Sequence, residues 1–169
     1  EKRAAALLGK VAVIKVGGAS EAEIDEKKFR VDDAVAATKA ALAEGIVTGG
    51  GVTLVNLAQG LKAQNDGAKI VKKALEAPFL HIMENAGLNS QALLAEVEQA
   101  KPGQGINVMA PEKGLIDLKK AGVIDPAKVT KEAVQSATSI AATAITMGAL
   151  IVDIPEKEAP ASQDMGGMY

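Results

Sequence analysis

The chain has 169 residues, 24% of them charged, and a formal net charge of −2. It contains no cysteine, which excludes disulfides and thiolate chemistry, and no block of like charge or run of about eighteen apolar residues that would indicate nucleic acid or a membrane as a partner. The sequence therefore predicts a soluble, cytoplasmic protein with an aliphatic core, since only 2% of its residues are aromatic.

The N-terminal part predicts a strand followed by a long helix. A helical pattern at residues 4–8 is already under way near the first residue, which indicates a piece of a longer protein. The β-branched run at residues 11–16 predicts a strand closed by two glycines. Ser20 suits a helix N-cap, and the absence of proline and glycine before Gly45 predicts a helix that reaches Glu44.

Shorter elements are predicted after that helix. A triple glycine at 49–51 precedes one helix, and a second helix at 68–85 follows a turn at 65–67 and is kinked by Pro78. Asn89 is predicted to cap a third helix. The segment after it predicts, in order, a loop, a strand, a helix and a turn, at 101–105, 106–109, 115–121 and 122–126.

The end of the chain predicts one more helix. Thr130 is its expected cap, and the helix should continue to Met147 before a closing strand at 149–154. Everything after Pro155 is small, polar or glycine-rich and is predicted to be disordered. The predicted fold class is mostly α with a few short strands at the edges.

The triple glycine is a candidate anion site. Glycines let a ligand approach the backbone closely, and the start of a helix offers unpaired N–H groups and a positive dipole end. The alternative is a sharp turn between packed helices, because neither a P-loop nor a dinucleotide fingerprint follows the glycines.

Four ionisable residues are further candidates: Asp32, Asp33, Asp125 and His81. Asp32 and Asp33 point about 100° apart on the predicted helix, so only one of them can face a given site; Asp33 could act as a general base or could simply be solvated. Asp125 precedes Pro126 and suits either a turn or hydrogen bonds from a ribose. His81 is the sole histidine and is predicted to lie on a helix surface.

Residues 13–19 resemble the first strand and phosphate loop of the amino acid kinases. The shared pattern is a strand that ends in Lys15-Val16-Gly17-Gly18. This resemblance implies a small-molecule phosphotransferase as an alternative function, but the rest of the chain does not follow that family's alternating order of strands and helices.

A longer series of motifs resembles the group I, GroEL-type, chaperonins. The motifs occur in the order of that family and cover essentially the whole chain: KKFRVDDA at 27–34, EGIVTGGGV at 44–52, ALEAP at 74–78, AGVIDPAKV at 121–129 and MGGM at 165–168. The resemblance implies an ATP-dependent ring chaperone that encloses unfolded proteins and promotes their folding, with ATP hydrolysis driving the cycle.

The same resemblance implies a domain layout. Residues 1–11 would end an apical-domain segment, and 12–43 would supply a strand and the long helix of the intermediate domain. Residues 44–155 would form the C-terminal, mainly helical half of the equatorial ATPase domain, and 156–169 a disordered Gly/Met tail. The implied partners are identical subunits, seven per ring in two rings, together with a co-chaperonin and unfolded client proteins.

Site residues also follow from the resemblance. Asp33 matches the aspartate that polarises the water attacking the ATP γ-phosphate. Gly50, flanked by Gly49 and Gly51, matches the turn that closes on the nucleotide, and Asp125 matches the aspartate that binds the ribose hydroxyls. Glu21 falls where the family has a glutamate that pairs with a neighbouring subunit.

The sequence departs from the family at two places. An ungapped count from Asp125 puts Met109, Ala110 and Pro111 at the adenine pocket, where the family has Asn or Asp before two alanines; a shift of two residues would put Asn107 there instead. The family's Gly-Asp-Gly-Thr-Thr loop for phosphate and Mg²⁺ is absent from the sequence. We therefore expect half of an ATP site, without metal ligands of its own and inactive alone, or else a non-catalytic helical assembly module.

Overall fold

The structure is a computed structural model that describes residue 9 and residues 12–153. It divides into two units, residues 1–134 and 135–169, and every candidate site residue lies in the first. The predicted helix at 4–8, the first residue of the strand at 11–16, Ile154, and the tail with its MGGM motif lie outside the described residues.

Helices dominate the described residues, which confirms the predicted mostly α fold. The five α-helices are α1 (Glu21–Glu44), α2 (Val52–Gly60), α3 (Asp66–Asn85), α4 (Ser90–Gln99) and α5 (Ala127–Ile145), and a 3₁₀ turn covers Pro111–Lys113. The strands are β1 (Ile46–Thr48), β2 (Gln104–Ile106), β3 (Leu115–Asp117) and β4 (Ile124–Pro126). Strand β1 pairs antiparallel with β4, and β2 pairs antiparallel with β3. None of the helices in this part of the chain is long and apolar enough to cross a membrane.

Helix α1 begins and ends where the sequence predicts. The Ser20 hydroxyl accepts a hydrogen bond from the Glu23 N–H at 3.3 Å, and the Glu23 carboxylate accepts one from the Ala19 N–H at 2.7 Å. One N–H group of the first helical turn is thereby satisfied, together with the N–H of the residue just before the cap. Gly45, with φ of 84°, ends the helix, because glycine adopts this conformation without strain.

The core of the first unit lies between α2, α3, α4 and the β2–β3 hairpin. Its buried side chains are Val52, Val55, Phe79, Met83, Leu94, Val97, Ile106 and Leu118. Helix α3 continues through Pro78, and Phe79 follows directly with 0% of its surface exposed. The core therefore packs against the helix that starts just after the triple glycine.

Two predicted strands are wrong. Residues 12–16 and 149–153 form neither a strand nor a helix. Both have β-branched or apolar sequences, but no other strand pairs with them within the described residues. A strand needs a partner for its backbone groups, so sequence propensity alone did not produce one.

The predictions around the hairpin and α5 also need correction. The predicted strand at 106–109 is β2, which ends at Ile106, and the predicted helix at 115–121 starts with strand β3. The turn at 122–126 contains β4. Helix α5 starts at Ala127, so Thr130 lies inside it and its hydroxyl donates to the Pro126 carbonyl at 3.4 Å instead of capping.

The start of α3 differs by two residues from the prediction. Asn65 is the N-cap, and its side chain accepts from the Ala68 N–H at 2.8 Å. Asp66 and Gly67, predicted as part of a turn, therefore belong to the first helical turn. The caps at Ser20 and Asn89 are confirmed.

Candidate functional site

The pairing of β1 with β4 places Asp125 beside Gly49. Val47 lies opposite Asp125 in the register, and the Gly49 N–H donates to the Val123 carbonyl at 3.0 Å. Alternate residues of a strand face the same side of a sheet, so Asp125 and Gly49 share one face. A Cβ atom on Gly49 would lie 3.2 Å from Oδ1 of Asp125 and 3.1 Å from the Ile124 nitrogen. Glycine at 49 therefore leaves room for the carboxylate.

Asp125 carries an electrostatic signature of this placement. The residue as a whole is exposed, yet partial burial of its carboxyl desolvates the charged form and raises the pKa of Asp125 above its ordinary value. No hydrogen bond from another described residue compensates the carboxylate. A ligand that donates hydrogen bonds, such as a sugar hydroxyl, would be received favourably here.

The glycine turn (residues 49–51) is shaped by packing as well as by conformation. Gly50 and Gly51 have φ angles of 66° and 76°, a region that favours glycine. A Cβ on Gly51 would lie 2.8 Å from both the Cα and the N of Phe79. The interpretation of these glycines as a sharp turn between packed helices is thus supported by contacts.

Several N–H groups at the turn are unused. The Val52 N–H donates to Gly49 at 3.3 Å, but the N–H groups of Gly50, Gly51 and Thr53 donate to no acceptor within the described part of the chain. They precede or open α2, where the helix dipole favours negative charge. The turn can therefore offer hydrogen bonds to an anionic or polar ligand.

Asp33 makes no hydrogen bond or ion pair with the glycine turn within the described residues. It is exposed on α1, eleven residues before Glu44, which corresponds to about 16 Å along the helix. The end of α1 is attached near β4, because Lys131 donates to the Glu44 carboxylate at 2.6 Å and the Ala127 N–H donates to the Gly45 carbonyl at 3.0 Å.

The residues proposed for an adenine pocket lie between β2 and β3. Met109 is 88% exposed, whereas Asn107 is half-buried and its side-chain oxygen accepts from the Met109 N–H at 3.0 Å. Ala110 precedes the 3₁₀ turn that Pro111 starts. Of these four residues, Asn107 alone has a polar side chain that a hydrogen bond holds in place, and it directly follows β2.

The other candidates lie on the surface. Lys15 is exposed and follows no strand, and the Gly17 carbonyl accepts from the Lys27 ammonium at 3.0 Å. Glu21 is exposed at the first position of α1. His81 is exposed, as predicted, and its Nδ1 lies 3.5 Å from the Glu84 carboxylate.

Sequence reasoning missed one contact at the glycine turn. The Thr53 hydroxyl donates to the Thr48 carbonyl at 2.7 Å, in a partly buried position. A hydroxyl two residues after a triple glycine was the available signal. It went unused because hydroxyls at the start of a helix more commonly cap their own backbone.

The described residues do not supply a metal site. They contain no group of three or more His, Asp or Glu side chains placed to hold an ion. Asp125 and the free N–H groups of the turn fit hydrogen-bonding parts of a nucleotide, whereas the set of oxygen ligands that Mg²⁺ prefers is not assembled here.

Two comparisons with known proteins match this chain. The sequence pattern of the TCP-1/cpn60 chaperonin family matches residues 5–155. Among solved structures, the crystal structure of a group III chaperonin in the open state is similar with a TM-score of 0.70 and 27% sequence identity. The match covers 80% of this chain and 30% of the chaperonin chain, so this chain spans under a third of that protein's length.

Proposed function

Because the chain belongs to the TCP-1/cpn60 chaperonin family, we propose that it is part of a subunit of an ATP-hydrolysing ring chaperone, which encloses unfolded proteins and promotes their folding. The observation that supports a nucleotide role is the position of the Asp125 carboxylate beside Gly49, next to a turn with unused N–H groups. This arrangement offers a hydrogen-bond acceptor and several donors to one ligand.

In the proposed mechanism, each residue has a distinct role. Asp125 accepts hydrogen bonds from the ribose hydroxyls, and the glycine turn closes on the nucleotide. Asp33 orients the attacking water after α1 has moved, so a conformational step controls hydrolysis. When bound, Mg²⁺ would neutralise charge on the phosphates, and its ligands would come from the Gly-Asp-Gly-Thr-Thr loop elsewhere in the subunit.

For the adenine contact we favour Asn107 over Met109. Asn107 is half-buried and its side chain is held by a hydrogen bond to the Met109 N–H. The amide can both donate and accept, whereas the thioether of Met109 offers only a weak acceptor and is 88% exposed. Ala110 and Pro111 would then line the pocket beside it.

The assignment to group I is also a proposal. Its support is the ordered series of motifs from residue 27 to residue 168. Asp33 is the second aspartate of the DDA motif at 32–34. In a group I chaperonin the chain would work with a co-chaperonin, in two rings of seven identical subunits. We also propose that residues 12–43 belong to the intermediate domain. Refolding of a client protein that depends on an added co-chaperonin would support it, and refolding that is complete without one would contradict it.

The experiment compares ATP binding and steady-state hydrolysis in the full-length subunit and its Asp33→Ala variant. We expect binding to be retained and turnover to fall by about a hundredfold, the effect of losing a positioned base. Asp32→Ala is the matched control, because the adjacent carboxylate points about 100° away, and it should keep wild-type turnover. Unchanged turnover in Asp33→Ala would refute the role of Asp33.

The 169-residue chain alone should bind ATP weakly and hydrolyse it at no useful rate, since the Gly-Asp-Gly-Thr-Thr loop for phosphate and Mg²⁺ is absent from its sequence. Robust magnesium-dependent turnover by this chain would contradict the proposal. Absence of ATP binding by the full-length subunit would leave the helical assembly module as the better description of the chain.

A further inference from the structure

The glycine turn is tied together by a single side-chain hydrogen bond. The Thr53 hydroxyl, in the first turn of α2, donates to the carbonyl of Thr48, the last residue of β1, at 2.7 Å. The two residues flank the glycine turn, so the bond joins its two ends. It is a direct contact between β1, which precedes the glycine turn, and α2, which follows it.

The register of the sheet explains why the Thr48 carbonyl is available. The Gly49 N–H donates a hydrogen bond to the Val123 carbonyl, and Val47 lies opposite Asp125. In antiparallel pairs, hydrogen-bonded and non-bonded positions alternate, so Thr48, opposite Ile124, is a non-bonded position. Its carbonyl points away from β4 and would lack a strand partner. A partly buried carbonyl is costly to leave unpaired, and the Thr53 hydroxyl satisfies it.

The backbone between these two residues is also held by the bond from the Val52 N–H to the Gly49 carbonyl and by the packing of Gly51 on Phe79, but its glycines add no side-chain contact of their own. Gly50 and Gly51 have positive φ angles, and glycine has access to more backbone conformations than any other residue. The unused N–H groups of Gly50 and Gly51 lie within this segment. A bond that closes the turn fixes the direction in which these N–H groups point before a ligand arrives, and such preorganisation reduces the entropic cost of binding.

We infer that Thr53 is a positioning residue for the nucleotide, whose hydroxyl holds the glycine turn in the conformation that receives ATP. The inference rests on the proposed function, because it concerns the same site. Thr53 acts through the backbone and makes no contact with the reacting phosphate. Its removal should therefore weaken ATP binding and leave hydrolysis of bound ATP largely intact.

The experiment uses the full-length subunit in its assembled form. The dissociation constant for ATP and the turnover at saturating ATP are measured in wild type, Thr53→Val and Thr53→Ser. Valine keeps the shape and removes the hydroxyl, and serine keeps the hydroxyl. We expect Thr53→Val to raise the dissociation constant about two- to tenfold, as for one lost hydrogen bond, with turnover within about twofold of wild type. Thr53→Ser should restore wild-type affinity.

A control threonine separates this effect from general loss of a hydroxyl. Thr143 on α5 also donates its hydroxyl to a backbone carbonyl, that of Ser139, at 3.1 Å, and is not one of the candidate site residues. Thr143→Val should leave the dissociation constant unchanged. If Thr53→Val fails to fold, as judged by circular dichroism, Thr53→Ala replaces it, since alanine only removes atoms.

Three results would overturn the inference. The first is equal ATP affinity in wild type and Thr53→Val. The second is a loss of ATP affinity in Thr53→Val that Thr53→Ser shares. A fall in turnover at unchanged affinity would place Thr53 in the chemical step. Each of these leaves ATP binding by the wild type in place; absence of that binding would instead refute the proposed function and the inference with it.

Discussion

At the scale of single residues, the site depends on how closely a carboxylate and a glycine backbone approach each other. Asp125 lies on the same face of the β1–β4 pair as Gly49, and any side chain at 49 would crowd Oδ1 of Asp125. Partial burial makes the charged carboxylate of Asp125 less favourable, and desolvation therefore raises the pKa of Asp125. A group that is mildly unfavourable for folding and well placed for a ligand is typical of a binding site.

The first prediction concerns Asp125→Asn in the full-length subunit. A raised pKa in the folded state means that the carboxyl favours folding most below its unfolded pKa of about 4, and that this contribution is lost as the pH rises through the folded value. At pH 7 the variant should therefore unfold with an unchanged or slightly higher free energy. ATP affinity should fall by about tenfold or more, because a charge-assisted hydrogen bond is lost.

Isothermal titration calorimetry and denaturant unfolding measure the two effects separately. Asp66→Asn, at an exposed carboxylate paired with Lys69, serves as the control for affinity and should match wild type. A variant at 125 that is clearly destabilised at pH 7 but binds ATP normally would show that Asp125 is structural.

The second prediction separates backbone conformation from packing at the glycine turn. Gly51 and Gly122 have similar φ angles of 76° and 78°. A Cβ on Gly51 would meet the Phe79 backbone at 2.8 Å, whereas one on Gly122 would meet nothing within 4 Å. Gly122→Ala should destabilise by about 1–2 kcal/mol from the left-handed conformation alone, and Gly51→Ala by about 1–3 kcal/mol more.

Native-state hydrogen exchange at the buried amides of Val55 and Met83 measures this difference. Both residues belong to the core that Phe79 shares with α2. Equal losses in the two variants would show that α2 and α3 adjust to the added methyl group, and that packing against Phe79 does not require glycine at 51.

Some of the site could be predicted from sequence at this scale and some could not. The glycine turn and Asp125 were identified because they belong to ordered motifs, and the structure places them together. The Thr53 bond was missed, since it depends on which carbonyls of β1 face away from β4. Strand register is a tertiary property, and no local pattern within the sequence reports it.

At the scale of elements, the proposed mechanism depends on the position of α1. Its start is fixed by a local network, in which the Lys27 ammonium bonds both the Glu23 carboxylate, at 2.7 Å, and the Gly17 carbonyl. This network joins the extended residues before α1 to its first two turns. It lies at the opposite end of the helix from the Glu44–Lys131 ion pair.

The third prediction is a pH dependence at the start of α1. The Lys27 ammonium, together with the Ala19 N–H, holds the pKa of Glu23 below its ordinary value. The stabilisation is therefore fully present above the unfolded pKa of about 4 and is lost as the pH falls through the lower folded value. Acidification should release the Ala19 N–H, and Glu23→Gln should abolish this pH dependence.

The chemical shift of the Ala19 amide between pH 7 and pH 3 measures the transition by NMR. Asp25→Asn is the control, because Asp25 lies on the same helix without a bond to this network, and it should keep the wild-type profile. An identical transition in Glu23→Gln would assign the titration to another group.

The elements differ in how well the sequence predicted them. Helices α1 and α4 were placed correctly because Ser20 and Asn89 are strong local caps. The four strands are only three residues long, which is too short for an alternating pattern to be distinguished from a helical one. Residues 12–16 show the converse error, since a good strand sequence forms no strand without a partner.

At the scale of the whole molecule, many apolar side chains are exposed. On α1 they include Phe29, 71% exposed, and Leu42, 83% exposed. Apolar side chains that form a contiguous exposed surface are typical of contacts with other protein, and the chain spans 30% of the length of the chaperonin chain it resembles. These faces are consistent with the proposal that the chain works inside a larger subunit and ring.

The central claim is that the glycine turn and Asp125 hold part of a nucleotide in an assembled chaperonin. The most direct measurement is a cryo-electron microscopy map of the full-length subunit with a non-hydrolysable ATP analogue and Mg²⁺. We predict rings with nucleotide density that contacts both the glycine turn and the Asp125 carboxylate, and with α1 turned so that Asp33 approaches the γ-phosphate. Nucleotide density elsewhere, or fully occupied rings in which Asp125 contacts no ligand, would contradict this account.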